Sequence, residues 1–357
     1  MSLIDFYSTA KYNYCIMKLK LEQIKSITLG AVNVFEKDGY FDFHRFTPEQ
    51  EALYDDPKNP RPFSESNVKS LTSAGIKLRF VTNTKSITLT VRFKRGMNRC
   101  YYSTDVCCNG KFVGAIASHE SIPENLKEDL EEKETTKTFS FDSGDKEICI
   151  YLPFSTITTI KDIVLDDGAY VEPVKLDKIL LSFGDSITHG FDALRAFNSY
   201  ANRLADKLNY QIYNKAMGGE IYFPELANTK DSFVPDLITV AYGTNDWNSD
   251  KMTPEILGSR CYEFIKNLRK NYPNTKIAVI SPIWRKELDE EKPFGAFSLV
   301  ADVIKEQTEK FDNVYFIKGF DFVPKNPSYF SDKRLHPNDK GFEHYLNNLY
   351  EEIKKII

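Results

Sequence analysis

No stretch of the 357 residues approaches the ~18 consecutive apolar side chains that a membrane helix requires, which excludes a helical membrane protein. Basic charge is not in excess either. The 47 Lys and Arg stand against 51 Asp and Glu, mixed along the chain for a net charge of −4, so no nucleic acid partner is expected. Cysteine is scarce and unpatterned: Cys15, Cys100, Cys107, Cys108, Cys149 and Cys261 include no CxxC pair that would hold zinc. Reduced thiols are the expectation, with the adjacent Cys107 and Cys108 packed on a sheet as small hydrophobes. The opening residues MSLIDFYSTAKYNYCIMKLK lack the basic segment, apolar stretch and cleavage site of a secretory signal. A cytoplasmic location is therefore expected, although a secreted chain trimmed of its signal would read the same. What is present is aromatic: 26 Phe and 20 Tyr cannot stay solvated along one chain, which excludes disorder. At roughly 150 residues per domain, the length predicts two domains, each able to bury its own core.

The two halves differ in periodicity. In the first, apolar and polar residues alternate, as in strands with one face on a core: Ile76, Leu78 and Phe80; Ile87, Leu89, Val91 and Phe93; Ile148, Ile150 and Leu152. Asn109-Gly110 supplies the positive φ values of a tight hairpin. The charge-dense stretch Glu120 to Lys137 reads as an exposed excursion between strands. Residues 1–172 are thus expected to form a β-sandwich or jelly roll. After Pro173 the pattern becomes strand, turn, helix, repeated. Strands are predicted at Lys178 to Phe183, Gln211 to Ala216, Leu237 to Tyr242, Lys276 to Ile283 and Val314 to Ile317. Helical stripes fall at Leu194, Phe197, Ala201, Leu204 and Leu208; at Leu257, Cys261, Phe264, Ile265 and Leu268 behind Thr253-Pro254; and at Phe342, Leu346, Leu349 and Ile353. Residues 173–357 therefore predict an α/β fold, a doubly wound parallel sheet whose ligands bind at the carboxyl ends of the strands.

Four pieces lie at those predicted strand or helix boundaries: Gly184-Asp185-Ser186-Ile187-Thr188, Met217-Gly218-Gly219-Glu220, Gly243-Thr244-Asn245-Asp246 and Leu335-His336-Pro337-Asn338. Ser186 follows a buried strand and a glycine and precedes a helix, which exposes its hydroxyl at the crevice and suits a nucleophile. A serine needs a base within about 2.6–3.2 Å. Of the five histidines, His44 and His119 belong to the sandwich half, His344 lies within the last helix, and His189 is on the same turn as Ser186, where a wall or capping role fits better. His336, in a loop before Pro337, is the expected base. Asp185 and Asp246 are expected to brace loops by accepting backbone N–H bonds.

Together the four pieces resemble the SGNH hydrolases, or GDSL esterases, over roughly residues 176–357, in the two-domain form with an N-terminal β-sandwich similar to carbohydrate esterase family 2. The resemblance implies a flavodoxin-like hydrolase domain and an oxyanion hole made by the backbone N–H groups of Ser186 and Gly219 and the side-chain amide of Asn245. One departure is visible. The family places the acid that orients the histidine three residues before it, where this chain has Lys333; Asp332 lies four before His336. Either Asp332 still reaches the imidazole, which is the favoured reading, or a backbone carbonyl orients the ring.

The resemblance implies a serine esterase for small acyl groups, acetyl among them, on a carbohydrate or similar small polar carrier, acting through an acyl-serine and without cofactor or metal. Three alternatives stand beside it: acyl transfer by the same serine; metal-dependent phosphoester hydrolysis by Asp185, Asp246 and His336; and a glycan-binding sandwich joined to an inactive hydrolase scaffold. Trp247, Trp284, Tyr222 and Phe223 follow strand ends, where sugar stacking or an acyl pocket competes with ordinary packing. Oligomeric state is not legible.

Overall fold

The computed structural model describes residues 16–56, 65–121 and 130–357; Cys15 falls outside them. The first half is a β-sandwich of two antiparallel sheets. One runs Asn33–Lys37, Tyr40–His44, Thr156–Asp166, Ser86–Arg95, Lys133–Ser140, with Ile16–Lys18 added to Thr156–Asp166. The other runs Glu172–Pro173, Lys77–Thr82, Lys146–Tyr151, Ser103–Cys108, Lys111–Ala117, with Thr28–Leu29 added to Lys77–Thr82. Alternation explains the packing: Ile87, Leu89, Val91 and Phe93 are buried against Leu78, Phe80, Ile148 and Ile150 of the facing sheet. Asn109 and Gly110 take φ values of 49° and 74° and turn Ser103–Cys108 back on Lys111–Ala117. Cys107 is buried opposite Cys149, and both are free thiols.

The second half is a five-stranded parallel sheet in the order Gln211–Asn214, Ile179–Gly184, Leu237–Ala241, Lys276–Ile280, Val314–Ile317. This is the flavodoxin-like 2-1-3-4-5 order, with its switch point between Ile179–Gly184 and Leu237–Ala241. Period two sends Leu181, Phe183, Ile238, Val240, Ile277 and Val279 to one face, under helices Pro254–Asn271 and Ser298–Thr308. Leu180, Ile212, Leu237, Ala278 and Ile280 go to the other, under Tyr200–Leu208 and Asp339–Ile353. The Thr253 hydroxyl accepts the Ile256 N–H and caps the first of these helices, with Pro254 at its first position. No helix among the described residues is long and apolar enough to cross a membrane.

Three expectations are corrected. The helix read from Leu194 begins only at Tyr200, after a short 3₁₀ turn Ala196–Asn198. Ser199 is extended (ψ 141°), and Phe197 packs on Phe112 and Tyr151 of the sandwich instead of extending the helical stripe. The excursion Glu120 to Lys137 ends in an edge strand, Lys133–Ser140; residues 122–129 of it lie outside the described ones. Its polarity is that of a solvent-facing edge: Thr136 and Thr138 meet Thr90 and Thr88 across the ladder at 2.9 and 2.8 Å. Several predicted strands also stop a few residues early, because Ala216, Tyr242 and Ile283 already belong to the turns that carry the site.

Candidate active site

Three of the four motifs sit just past the carboxyl ends of adjacent strands at the switch point. Ser186 opens a single helical turn, Ser186–His189, after Ile179–Gly184; Gly218-Gly219 follow Gln211–Asn214; Asn245 follows Leu237–Ala241. His336 arrives on the loop before Asp339–Ile353. That loop is pinned by the N–H of Ser331 donating to the His336 carbonyl and by the bridge between Phe330 and Pro337. Ser186, Gly219, Asn245 and His336 line one pocket of about 210 Å³. A larger cleft of about 650 Å³ lies elsewhere, at the seam between the sandwich and helix Asp339–Ile353, and contains none of these residues.

The hydroxyl of Ser186 stands 2.8 Å from Nε2 of His336, and Nδ1 of the same ring stands 2.7 Å from Oδ2 of Asp332. A carboxylate can only accept here, so the ring proton sits on Nδ1 and Nε2 keeps its lone pair for the serine. Burial alone would raise the carboxyl of Asp332. The hydrogen bond and charge of His336, with the N–H groups of Leu335 and His336, outweigh it and hold Asp332 well below the ordinary carboxylate range. Its other oxygen accepts the N–H groups of Arg334, Leu335 and His336 at 2.9, 2.8 and 3.1 Å. The extra residue in the loop is absorbed by Lys333, whose φ of 58° curls the chain around the carboxylate. Among the described residues no backbone carbonyl bonds Nδ1.

The glycine pair is required by close approach. A Cβ on Gly218 would stand 2.2 Å from the Phe191 ring, and Gly219 takes φ 87°. The side-chain amide of Asn245 donates one N–H to the Glu220 carbonyl at 2.9 Å, which ties it to the same loop. His189 is buried behind that loop. Its Nδ1 accepts the Gly218 N–H at 3.1 Å, while Nε2 stands 3.0 Å from the Phe154 carbonyl and 2.9 Å from the Thr72 hydroxyl. Burial and the charge of Arg45 push its pKa well down, which keeps the ring neutral. Asp185 accepts the Ile187 N–H at 2.9 Å and Asp246 the Tyr222 N–H at 3.2 Å. Burial raises these carboxyls to about 6 and about 7.

Asp185, Asp246 and His336 do not converge as ligands; among the described residues the one group with metal-ligand spacing is Asp192, Asp332 and His336. Arg99 already brings positive charge there, its Nε 2.7 Å from Asp192 Oδ1 and its Nη2 3.4 Å from Nδ1 of His336. Neither Arg99 nor Asp192 stood out in the sequence, nor did Lys69, Arg285 and Arg334, which share the pocket lining. They come from segments far apart along the chain, and no local pattern marks them. Trp247, Tyr222 and Phe223 are core residues, and Trp284 packs on Phe330. Packing therefore accounts for all four.

Residues 182–344 match the model of the GDSL-like lipase/acylhydrolase family. No curated protein matches the chain. Among solved structures, the salicylyl-acyltransferase SsfX3 from a tetracycline biosynthetic pathway is similar with a TM-score of 0.74 at 18% identity, over 92% of this chain and 94% of its own. A protein of Bacteroides ovatus assigned to the GDSL-like lipases gives 0.74 at 21%, over 96% and 98%. A family two carbohydrate esterase from Cellvibrio japonicus gives 0.65 at 15%, over 96% and 98%. At these identities the likeness is one of fold, and it covers both halves of the chain.

Proposed function

We propose that this chain, whose residues 182–344 form a GDSL-like lipase/acylhydrolase domain, is a serine esterase that removes small acyl groups from a polar carrier such as a carbohydrate. The observation that carries the reading is the unbroken relay from Ser186 through His336 to Asp332, with contacts of 2.8 and 2.7 Å. In this reading His336 Nε2 takes the hydroxyl proton as Ser186 Oγ attacks the ester carbonyl. Asp332 holds the tautomer and stabilises the imidazolium that forms. The N–H groups of Ser186 and Gly219 and the amide of Asn245 receive the developing oxyanion. The imidazolium then gives its proton to the departing alcohol. Water, deprotonated by the same ring, cleaves the acyl-serine, releasing the acid and restoring Ser186. The small, polar-lined pocket favours a short acyl group, and the fold shared with family two carbohydrate esterases favours the carrier.

The test is a panel of esters varied in acyl length and carrier, run beside Ser186→Ala. Hydrolysis falling steeply beyond a few carbons and lost in the variant is expected; equal rates for the variant would overturn the assignment. A second reading, acyl transfer to another alcohol, draws on the fold likeness to a salicylyl-acyltransferase and uses the same residues. Product analysis with sugar and alcohol acceptors separates the two. An inactive scaffold would have no reason to keep the relay aligned.

A further inference from the structure

We propose that the pocket at Ser186 recognises an ester whose carrier bears a negative charge, a carboxylate or a phosphate near the scissile bond. The inference rests on the esterase reading for its chemistry and adds the class of the carrier.

The lining itself is the first observation. Lys69, Arg99, Arg285 and Arg334 all line this pocket of about 210 Å³, and no Asp or Glu does among the described residues. The carboxylates that balance the arginines stand outside the lining. Asp192, fully buried, takes Nε of Arg99 at 2.7 Å and Nη2 at 3.4 Å. Glu287 takes Nε of Arg285 at 3.3 Å and Nη1 of Arg334 at 3.0 Å. Each pair is thus oriented with its cation toward the cavity and its anion in the wall. In a concave site walled by Phe191 and Leu335, that arrangement focuses positive potential inward.

Donor accounting is the second. The Nη1 of Arg99 has no hydrogen-bond partner among the described residues. Arg285 spends Nε on Glu287 and Nη1 on the carbonyl and hydroxyl of Thr244, at 3.1 and 3.2 Å, and its Nη2 likewise has no partner there. Arg285 is only 2% exposed, so a donor on it serves whatever enters the cavity. Guanidinium groups fixed on one edge present the other in a fork suited to carboxylate or phosphate oxygens. A neutral sugar can pair its hydroxyl protons with the amide oxygens of Asn98 and Asn248 in the same lining, but it brings no charge to match the four cations, which supply donors alone.

Calorimetric titration of the whole protein at low ionic strength, with methyl glucoside, methyl glucuronide and glucose 6-phosphate as probes, tests this directly. At least one of the two anions should bind ten times more tightly than the glucoside, and which one does so distinguishes carboxylate from phosphate. Arg334→Gln, at a side chain 47% exposed and safe for folding, should weaken that anion at least fivefold, and Arg285→Met should do the same. High salt should narrow the preference. A glucoside bound as tightly as both anions, or an anion affinity indifferent to both variants, overturns the proposal. Turnover of p-nitrophenyl acetate reports on the esterase reading separately. Hydrolysis without anion preference removes the anion site and keeps the esterase; anion binding in a protein inert toward every ester does the reverse.

Discussion

Lys333 shows how a single backbone angle rescues a spacing. With φ at 58°, the loop folds back so that Asp332, one residue farther from His336 than the related pattern has it, accepts three backbone N–H groups and the imidazole proton. If that carboxylate orients the base, Asp332→Asn should cost about 10³- to 10⁴-fold in kcat with Ser186 and His336 unchanged. A loss below about tenfold would return the role to a main-chain group. Ser186→Ala and His336→Ala should each remove nearly all activity, and the double variant should be little worse than either, since the two act as one unit. Asp246 makes a prediction of a different kind. Burial, with the nearby charge of Asp185, pushes its carboxyl up to about 7, and one oxygen has no hydrogen-bond partner. Between about pH 4 and about pH 7 the folded chain retains a proton that the unfolded chain releases, so this group's contribution to stability falls as the pH rises. Asp246→Asn abolishes that titration. Its stability relative to wild type should improve from pH 5 to pH 8, by an amount on the order of 2 kcal/mol; urea unfolding at the two values measures it, and an unchanged difference would refute the argument.

At the scale of elements, the stretch from Ala216 to Tyr222 is held from four sides. Arg45 donates to the Ala216 carbonyl, His189 accepts the Gly218 N–H, Asn245 donates to the Glu220 carbonyl and Asp246 accepts the Tyr222 N–H. Asn245→Ala should lower kcat by about 10²-fold with a smaller change in KM, because its amide is assigned to the oxyanion. His189→Ala touches no reacting atom in this scheme. It should lower kcat roughly tenfold through the slackened loop, with KM nearly unchanged; a variant altered in KM alone would move His189 to the substrate wall. This loop also marks what a sequence can and cannot disclose. The strands themselves were legible because period two and buried runs such as Lys178 to Phe183 are local signals, as was the hairpin at Asn109-Gly110; the flavodoxin-like sheet came only with the family resemblance, and the strand ends at Asn214, Ala241 and Ile280 fall short of the apolar runs. The start of the helix at Tyr200 was not, since Phe197 is apolar for the sake of the sandwich and mimics a helical stripe. The edge strand Lys133–Ser140 was hidden by its solvent-facing polarity. Arg99 and Asp192 meet only because the loop after Ser86–Arg95 packs against the turn after Ser186–His189, and no window of sequence contains that fact.

Over the whole molecule, the sandwich is continuous with the site it adjoins. Arg45, on the sandwich side and 1% exposed, donates to the carbonyls of Lys69 and Thr72 in its own half and of Asn214 and Ala216 in the other. Lys77, its side chain fully buried, pairs with Asp206, whose second oxygen accepts the Tyr151 hydroxyl at 2.8 Å. Lys215 donates to Gln50 and Asp231 at 2.7 and 2.8 Å. Ala74, Met97, Tyr101 and Phe154 of the sandwich form one apolar cluster with Phe191, the ring that covers Gly218. Separating the halves would expose that cluster to water and exchange these hydrogen bonds for bonds to water, a net loss of about 0.5–1.5 kcal/mol for each bond. Such an interface couples the two folds. Calorimetry of the whole chain should therefore show one transition, with calorimetric and van't Hoff enthalpies equal, and Arg45→Met should lower the midpoint of that single transition instead of splitting it. Residues 173–357 produced alone should lack both a cooperative transition and esterase activity, because Gly218-Gly219 would lose the Arg45 and Phe154 contacts that seat them through Ala216 and His189. Two resolved transitions, or an active isolated second half, would make the sandwich an attached module and sever it from the chemistry.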